Sequence, residues 1–551
     1  MSLQPKAIGA VPEETARVAQ AAFPKGNLYL RIRDELGTVF DDSAFTPLFS
    51  TLGRPAEAPW RLALVTIMQY VERLPDREAA DAVRGRIDWK YALGLELTDS
   101  GFDSTVLCEF RARLVKGDPE QLILDRLLEQ CRERGWLKAR GRQRTDSTHV
   151  LTSVRAVNRL ECVRETMRHT LNSLAVVVPE WLKAQSPSEW VERYRLRDRG
   201  WGRVSRKEDR LALATTIGVD GHALLSAIYA DGTPMWLRHV PAVETLRQVW
   251  MQQYYVEAEA VRWRTEAEGL PPARLFISSP YDLDARLARK ETTRWVGYKV
   301  HLTESCDEGE PHLITHVETT PGPVADGAVT PNVHRTLQGK GLLPSMHLVD
   351  TGYLDAKLLV ATRREYGVDL VGPTRLDYRW QAREGKGFDA ANFRIDWEQS
   401  EATCPEGRKS LSWTPTVDNR ANEVIKIKFS MRDCQPCPSR ARCTQAVRRT
   451  ITVRRQEQYL ALRAARSREA SAEFAAEYAK RAGIEGTVSQ GVRSLDLRRS
   501  RYAGLMKTHL KHVLTATALN VIRIGNWLAD TPLATTRQSS FIKLMAQHAP
   551  A

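Results

Sequence analysis

The sequence has 551 residues, 42% hydrophobic and 27% charged, with 81 Lys and Arg against 67 Asp and Glu and a net charge of +14. That length suits about three to four domain-sized units of roughly 150 residues, and the composition can bury several cores. Disorder over most of the chain is excluded, and scattered Pro and Gly exclude a fibrous or low-complexity design.

No apolar run approaches the roughly 18–20 residues that span a bilayer. The opening residues, MSLQPKAIGAVPEETARV, lack the apolar segment of a signal peptide. A cytoplasmic protein with no membrane partner is expected. Eight Cys are too few for a disulfide scaffold in a chain this long. The positive charge is concentrated, with 17 Lys and Arg against 6 Asp and Glu between Arg440 and Lys511. Such a stretch points to a polyanion, nucleic acid before a membrane surface; a solvated basic helical face is the plain alternative.

In chain order, residues 59–75 carry apolar residues at helical spacing, and Asp76 can cap a second helix through REAADAVRGRI. Helical pattern continues over 103–135, so residues 1–140 read as an all-helical domain. Arg84, Arg86 and Lys90 beside Trp89 fit a helix-turn-helix, or equally a plain helical bundle used for dimerisation. The period then changes. Residues 144–152 (RTDSTHVLT) alternate and are rich in β-branched residues, a strand signal. Residues 155–270 return to helix, including EWVERYRLRDRGWGR and LRQVWMQQYYVEAEAVRW. Strand signals follow at 295–303, 312–318, 346–350 and 367–372, with a helix over 354–366. This rhythm argues for an α/β core with some parallel pairing. Residues 375–460 hold short strands such as 423–429 and four of the cysteines. Helix returns over 472–490 and in an apolar run near 509–528, and residues 531–551 read as a loose tail.

Asp146 lies in the first core strand, Asp350 ends a later one before Gly352, and Glu485 sits on the late helix. Strand-end carboxylates on an α/β edge, joined by one from a packed helix, can hold two divalent cations for phosphodiester displacement. Periodicity alone does not select these three from 67 acids. On an unbroken helix, Tyr478, Arg481 and Glu485 share one face. Glu could hold metal, Arg a phosphate through its planar fork, and Tyr could stack, or be a half-buried core residue. Gly483 and Gly486 weaken the helix there and could let backbone approach the substrate.

Cys434-x2-Cys437-x5-Cys443, with Cys404 upstream, is compatible with a structural tetrahedral zinc site, or with reduced thiols packed as small apolar groups. Cys108, Cys131, Cys162 and Cys306 sit on apolar patterns and read as core. His149 and His301 flank the acids and could touch metal or DNA, or serve as structural histidines. Lys299 suits a phosphate contact. No Gly-rich phosphate loop is present, so nucleotide hydrolysis is not indicated.

The run Tyr478-x2-Arg481-x3-Glu485 resembles the Y-(2)-R-(3)-E signature of bacterial insertion-sequence DDE transposases of the IS-four/IS-five type. The surrounding segment, from YAKRAGIEGTVSQGVRSLDLRRSRY to NVIRIGNWL, looks like the C-terminal part of the IS-eleven-eighty-two group. RTDSTHV resembles the first-aspartate strand and HLVDTGYLDA the second-aspartate block, with SPYDLDAR and WVGYKVHLTESC between them. DREAADAVRGRIDWKYALGLEL and FDSTVLCEFRARL look like the N-terminal domain. The likeness is strongest over 141–153, 278–305, 343–374 and 475–528 and weaker over 45–115. One departure stands out: where the signature has a Lys at the seventh position after the Glu, this chain has Val492, with Arg493, Arg498 and Arg499 as the nearest basic residues.

The resemblance implies an α/β, ribonuclease-H-like core (a mixed sheet flanked by helices) with a D-D-E triad of Asp146, Asp350 and Glu485. The expected organisation is 1–140, N-terminal helical DNA-binding or dimerisation domain; 141–155, first core strand; 156–270, helical insertion; 271–375, core continued; 376–465, cysteine-bearing insertion; 466–530, C-terminal core helices; and 531–551, tail. It implies two Mg²⁺ (or Mn²⁺) ions on the triad, with a structural Zn²⁺ on Cys404, Cys434, Cys437 and Cys443. DNA contacts fall to Tyr478, Arg481, Arg493, Arg498, Arg499 and Lys299. The implied activity is hydrolysis at an element end, freeing a 3′-hydroxyl that attacks target DNA. Partners are terminal inverted repeats, target DNA and a second copy of the chain, with the protein nucleoid-associated when bound. Two other readings stay open: a nuclease of the same fold that transfers no strand, and a domesticated DNA-binding protein without catalysis.

Overall fold

Pro59 has no N–H to lose at the first turn of a helix, and apolar residues from Trp60 onward supply a face to bury. In this computed structural model the helix runs Pro59–Glu72 and stops at Arg73, which takes the left-handed conformation (φ 62°). Residues 1–116, 121–154, 157–195, 206–383, 385, 387–532, 540, 541 and 544 are described. Residues 156 and 196–205 of the predicted helical insertion and most of the predicted tail lie outside them. The chain divides into two units, Met1–Leu137 with Glu308–Ile314 and Val513–Ala551, and Lys138–Asp307 with Thr315–His512.

The first unit is helical, with helices Glu13–Ala22, Leu28–Leu36, Pro59–Glu72, Asp76–Gly85, Ile87–Leu93, Thr105–Lys116 and Leu122–Glu133. Leu30, Trp60, Trp89, Phe110 and Leu127 are among its buried side chains. Asp76 is the first helical residue rather than a cap; its carboxylate instead accepts from Gln69 (2.7 Å) and Arg111 (2.6 Å). Two of the three basic residues of the helix-turn-helix reading are engaged by neighbouring groups, one of them half-exposed and the other buried. Arg86 is clamped by Glu72 and Asp88 over the Trp89 ring, and buried Lys90 donates to the Asp99 carbonyl at 2.7 Å. Arg84 is exposed and pairs with Asp81. Cys108 is exposed, because its helix turns Leu107, Phe110 and Leu114 inward; Cys131, Cys162 and Cys306 are buried as expected. Asn520 holds the 308–314 segment by trading two hydrogen bonds with the Ile314 backbone.

The second unit is built on a mixed six-stranded sheet. Strand Arg142–Leu151 pairs antiparallel with Thr293–Ser305 on one side and parallel with Met346–Leu348 on the other. Asp369–Val371 adds in parallel beyond that. Arg286–Lys290 and Ile314–Pro321 both pair with the far edge of the long strand Thr293–Ser305. A run of antiparallel strands followed by parallel ones, with helices, is consistent with a ribonuclease-H-like core.

The insertion after the first strand packs helices around Met167, Leu224, Leu246 and Trp250. Its helical reading fails at one end. Helix Pro241–Gln253 gives way to a hairpin, Tyr254–Glu257 with Ala260–Trp263. Aromatic and β-branched residues favour strand there, and Ala258 and Glu259 both take positive φ (46° and 64°), as a two-residue hairpin turn requires. Helix Lys207–Tyr229 corrects the expectation about apolar runs, since by length and composition it could cross a membrane. Its buried Asp220, however, accepts from Tyr194 at 2.6 Å and pairs with Arg193, which places polar groups within the helical packing.

The second insertion is a three-stranded meander, Ser412–Val417, Glu423–Lys428 and Thr450–Arg454, beside a two-stranded pair. Phe393, Ile427, Phe429 and Ile451 form its core, with Cys404, Cys434 and Cys443 against it. The helix predicted over 472–490 is two helices, Ala472–Ala479 and Ala482–Leu495, with a turn at Lys480–Arg481.

Several imidazoles of this second unit are buried. His347 links Thr145 (2.6 Å) to His334 (2.8 Å), and His301 lies between Tyr353 (2.6 Å) and Thr320 (3.1 Å). Thr319 meets both His512 and His509. Burial holds His301, His334 and His509 down to about 4, and puts His347 and His512 well below the ordinary range. An unfolded imidazole takes its proton near pH 6.5. Below that pH the unfolded state binds protons that the folded state refuses, so stability falls as pH drops from about 6.5 towards 4. Each such histidine adds a slope of about 1.4 kcal/mol per pH unit. Thermal melts at pH 7.5, 6.5 and 5.5 should show Tm falling well above the carboxylate range; a flat Tm would contradict this.

Candidate active site

Side chains alternate along a strand, so Arg144, Asp146 and Thr148 share one face of Arg142–Leu151. All three meet the segment that carries Glu485. Arg144 donates from Nε to Glu304 Oε1 at 2.7 Å and from Nη1 to the Lys480 carbonyl. Glu304, fully buried, also accepts from Thr487 Oγ1 at 2.6 Å. Thr148 Oγ1 accepts from Arg498 Nε at 2.7 Å. Gly483 is required by this packing: a Cβ there would lie 2.2–2.3 Å from the Arg144 guanidinium. The close backbone approach expected at Gly483 is therefore to Arg144, whereas Gly486 faces open space.

Register brings the aspartates together. Arg144 pairs with Leu348 in the parallel ladder, and Asp146 and Asp350 lie two residues further along from that pair, close enough for the Asp350 charge to act on Asp146. Asp350 leaves its strand and accepts from Gly352 N at 2.7 Å, which fixes the carboxylate. Gly352 needs room rather than special φ: a Cβ there would sit 2.9 Å from Asp350 Oδ1 and 3.2 Å from Asp326 Oδ2.

Arg481 gathers the remaining acids. Its Nη2 lies 2.9 Å from Asp146 Oδ2 and its Nη1 3.1 Å from Glu485 Oε1. Asp146 and Arg481 are 16% and 11% exposed, whereas Glu485 is 65% exposed. Burial raises the Asp146 carboxyl; the Arg481 charge opposes this and the Asp350 charge adds to it. Tyr478 stacks on Phe474 (centroids 5.4 Å, planes 7° apart) and its phenol is raised by burial, partly offset by Arg481. The fields of Asp350, Asp146 and Glu485 all reach it, so Tyr478, Arg481 and the three acids form one cluster despite the helix break.

The other predicted contacts divide. Arg493, in the last turn of the Glu485 helix, and Arg498 and Arg499 beyond it are exposed, and Arg498 reaches the face of the first strand that carries Asp146. Lys299 is largely buried and held by Asp326 (2.8 Å) and the Val324 carbonyl (2.7 Å). His301 is fully engaged with Tyr353 and Thr320, and His149 packs on Trp295. Some of the basic stretch is structural. Buried Lys511 donates to the Asp496 and Arg499 carbonyls, its ammonium lowered to about 8, and Arg449 donates to those of Cys443 and Phe388. Asp326 and the Arg144–Glu304–Thr487 tie were missed from sequence, where no periodic signal marks them.

The three carboxylates are hard oxygen donors of the kind suited to Mg²⁺ or Mn²⁺, and two of them, Asp146 and Glu485, already hold a cation, the Arg481 guanidinium. Cys404, Cys434, Cys437 and Cys443 line one pocket of about 30 Å³. Backbone N–H groups of Arg408 and Arg449 point at Cys404 and Cys434 Sγ (3.3 and 3.5 Å). Burial, reinforced by the other three sulfurs, pushes the Cys443 thiol up to about 11. None of the four is in a disulfide. Among the described residues no group of three or more His, Cys, Asp or Glu is arranged so that it could hold a metal ion.

No curated protein and no solved structure matches the chain. Residues 403–525, which include Tyr478, Arg481, Glu485 and the four pocket cysteines, match a family described as "Transposase DDE domain". Residues 17–113 match a "Transposase domain (DUF772)". Asp146 and Asp350 lie outside both spans. Two separate stretches, one near each end of the chain, thus match transposase domains, and together they support a DDE transposase family for this protein.

Proposed function

We propose that the protein is a DNA transposase of the IS-four/IS-five type, close to the IS-eleven-eighty-two group, with a ribonuclease-H-like core. It binds the terminal inverted repeats of its own element, cuts there and joins the freed end to target DNA. The observation that carries this reading is the meeting of Asp146 and Glu485 on Arg481, with Asp350 and Tyr478 beside them.

Asp146, Asp350 and Glu485 would hold two Mg²⁺ or Mn²⁺ ions, whose charge would activate water and stabilise the departing oxygen. The protein's own work is placement. Asp350, braced by Gly352 N, and Asp146, fixed within the sheet, set two rigid oxygens, while exposed Glu485 reaches in from the helix. Tyr478 lies along the DNA, and Arg493, Arg498 and Arg499 hold phosphates beyond it. Lys299 orients Asp326 at the back of the site and meets phosphate only if that pair opens. A homodimer is the smallest assembly that handles two element ends together.

Binding of full-length protein to the DNA flanking its own coding sequence tests this. Short terminal inverted repeats should be present there and bound, with affinity falling by roughly one log unit per log unit of salt for each phosphate neutralised. Salt-insensitive binding, or flanks without repeats, would count against it.

The four pocket thiols would hold a structural zinc. Metal analysis of purified protein should find about one zinc per chain, lost together with thermal stability in Cys437→Ser; a stoichiometry near zero in folded protein would remove this claim.

A further inference from the structure

Arg481 stands where the acids converge, and its own hydrogen bonding there is incomplete. Two of its nitrogens serve Asp146 Oδ2 (2.9 Å) and Glu485 Oε1 (3.1 Å), while Nε is buried with no acceptor. A guanidinium satisfied at every donor would be a permanent strut; this one is held chiefly by charge. The backbone around it is anchored independently. Arg144 grips the Lys480 carbonyl and fills the space against Gly483, and Arg481 N and Ile484 N close tight turns onto Tyr478 O (2.9 Å) and Arg481 O (3.1 Å). The side chain can therefore swing out without moving the helix that carries Glu485.

We propose that Arg481 is a displaceable counter-ion: it and divalent cations compete for the same oxygens of Asp146 and Glu485, so loading the acids with metal drives the guanidinium out towards the DNA backbone. A second cation within a few ångströms of the guanidinium is strongly unfavourable in this partly dry site, so the two do not share it. Without the metal, Arg481 keeps two clustered carboxylates compensated. With it, the planar fork is released to bind a phosphate with two hydrogen bonds. This couples metal loading to the grip on DNA. It rests on the reading of Asp146, Asp350 and Glu485 as the cation ligands.

Calorimetric titration of full-length protein with Mn²⁺ alone, without DNA, tests it. Arg481→Met keeps the bulk and removes the charge, and should bind Mn²⁺ about tenfold more tightly than wild type. Arg481→Lys, whose single ammonium serves one acid at a time, should fall between them. Affinity in Arg481→Met equal to or weaker than wild type, with the fold retained by circular dichroism, overturns the competition. Should Arg481→Met not fold, Arg481→Lys decides, with unchanged affinity as the contrary result. Asp350→Asn separates the two ideas. Lost Mn²⁺ binding there, with Arg481→Met unimproved, removes only the counter-ion role. Undiminished binding in Asp350→Asn, or no binding by wild type, removes the ligand reading and the counter-ion role together.

Discussion

Asp350→Asn should lower Mg²⁺-dependent cleavage of element-end DNA by on the order of a thousandfold or more, with DNA binding and thermal stability close to wild type. The substitution is isosteric. An amide oxygen still accepts from Gly352 N, so the turn after the strand persists. What goes is one negative charge beside Asp146 and, on the proposed reading of these acids as cation ligands, the site's hold on a divalent cation. Asp146→Asn should cut activity as deeply, but it also breaks the ion pair to Arg481 at 2.9 Å. Its stability change is therefore less clean, and Asp350 is the better probe. Gel-resolved cleavage beside a binding titration checks this, and an active Asp350→Asn would remove the triad.

The second large effect concerns folding. Arg144→Met should destabilise the second unit by about 3–5 kcal/mol, because Glu304, fully buried, loses its guanidinium partner while remaining charged. The same change unties the Lys480 carbonyl, and hence the joint that sets Arg481 and Glu485, so activity should fall even at temperatures where the fold survives. Arg144→Met combined with Glu304→Leu should recover much of the stability, since a buried pair replaced by apolar groups is often neutral, but not the activity. Urea denaturation of the two single variants and the double variant measures the coupling. Additive losses would show that Arg144 and Glu304 act separately.

Much of the core was legible because its strands write their period plainly. The alternation of RTDSTHVLT and WVGYKVHLT, and the helix before 367–372, predicted strands that pair as expected, some of them in parallel. The hairpin at 254–263 was hidden because a long helical pattern ran into it and only the backbone signs at Ala258 and Glu259 mark the turn. The helix carrying Tyr478, Arg481 and Glu485 was read as continuous because helical periodicity does not register one tight turn at Lys480–Arg481.

Charge was the least transparent property. Seventeen basic residues between Arg440 and Lys511 looked like one binding surface, yet Lys511, Arg449 and Arg481 face carbonyls or carboxylates within the fold. Which cations face solvent is decided by long-range packing, to which composition is blind. The convergence of the acids has the same origin. Asp146 and Asp350 are about two hundred residues apart in the chain, and it is the parallel register of Arg144 with Leu348 that makes them neighbours.

The fate of the cut end tests the proposed function most directly. Full-length protein, Mg²⁺, labelled DNA carrying the flanks of the coding sequence and an unlabelled target plasmid should together yield nicks that expose 3′-hydroxyls, and then label covalently joined to the plasmid. Chelation should abolish both steps. Cleavage without joining would contradict transposition in favour of a nuclease, and neither step in the presence of Mg²⁺ or Mn²⁺ would contradict catalysis by these acids altogether.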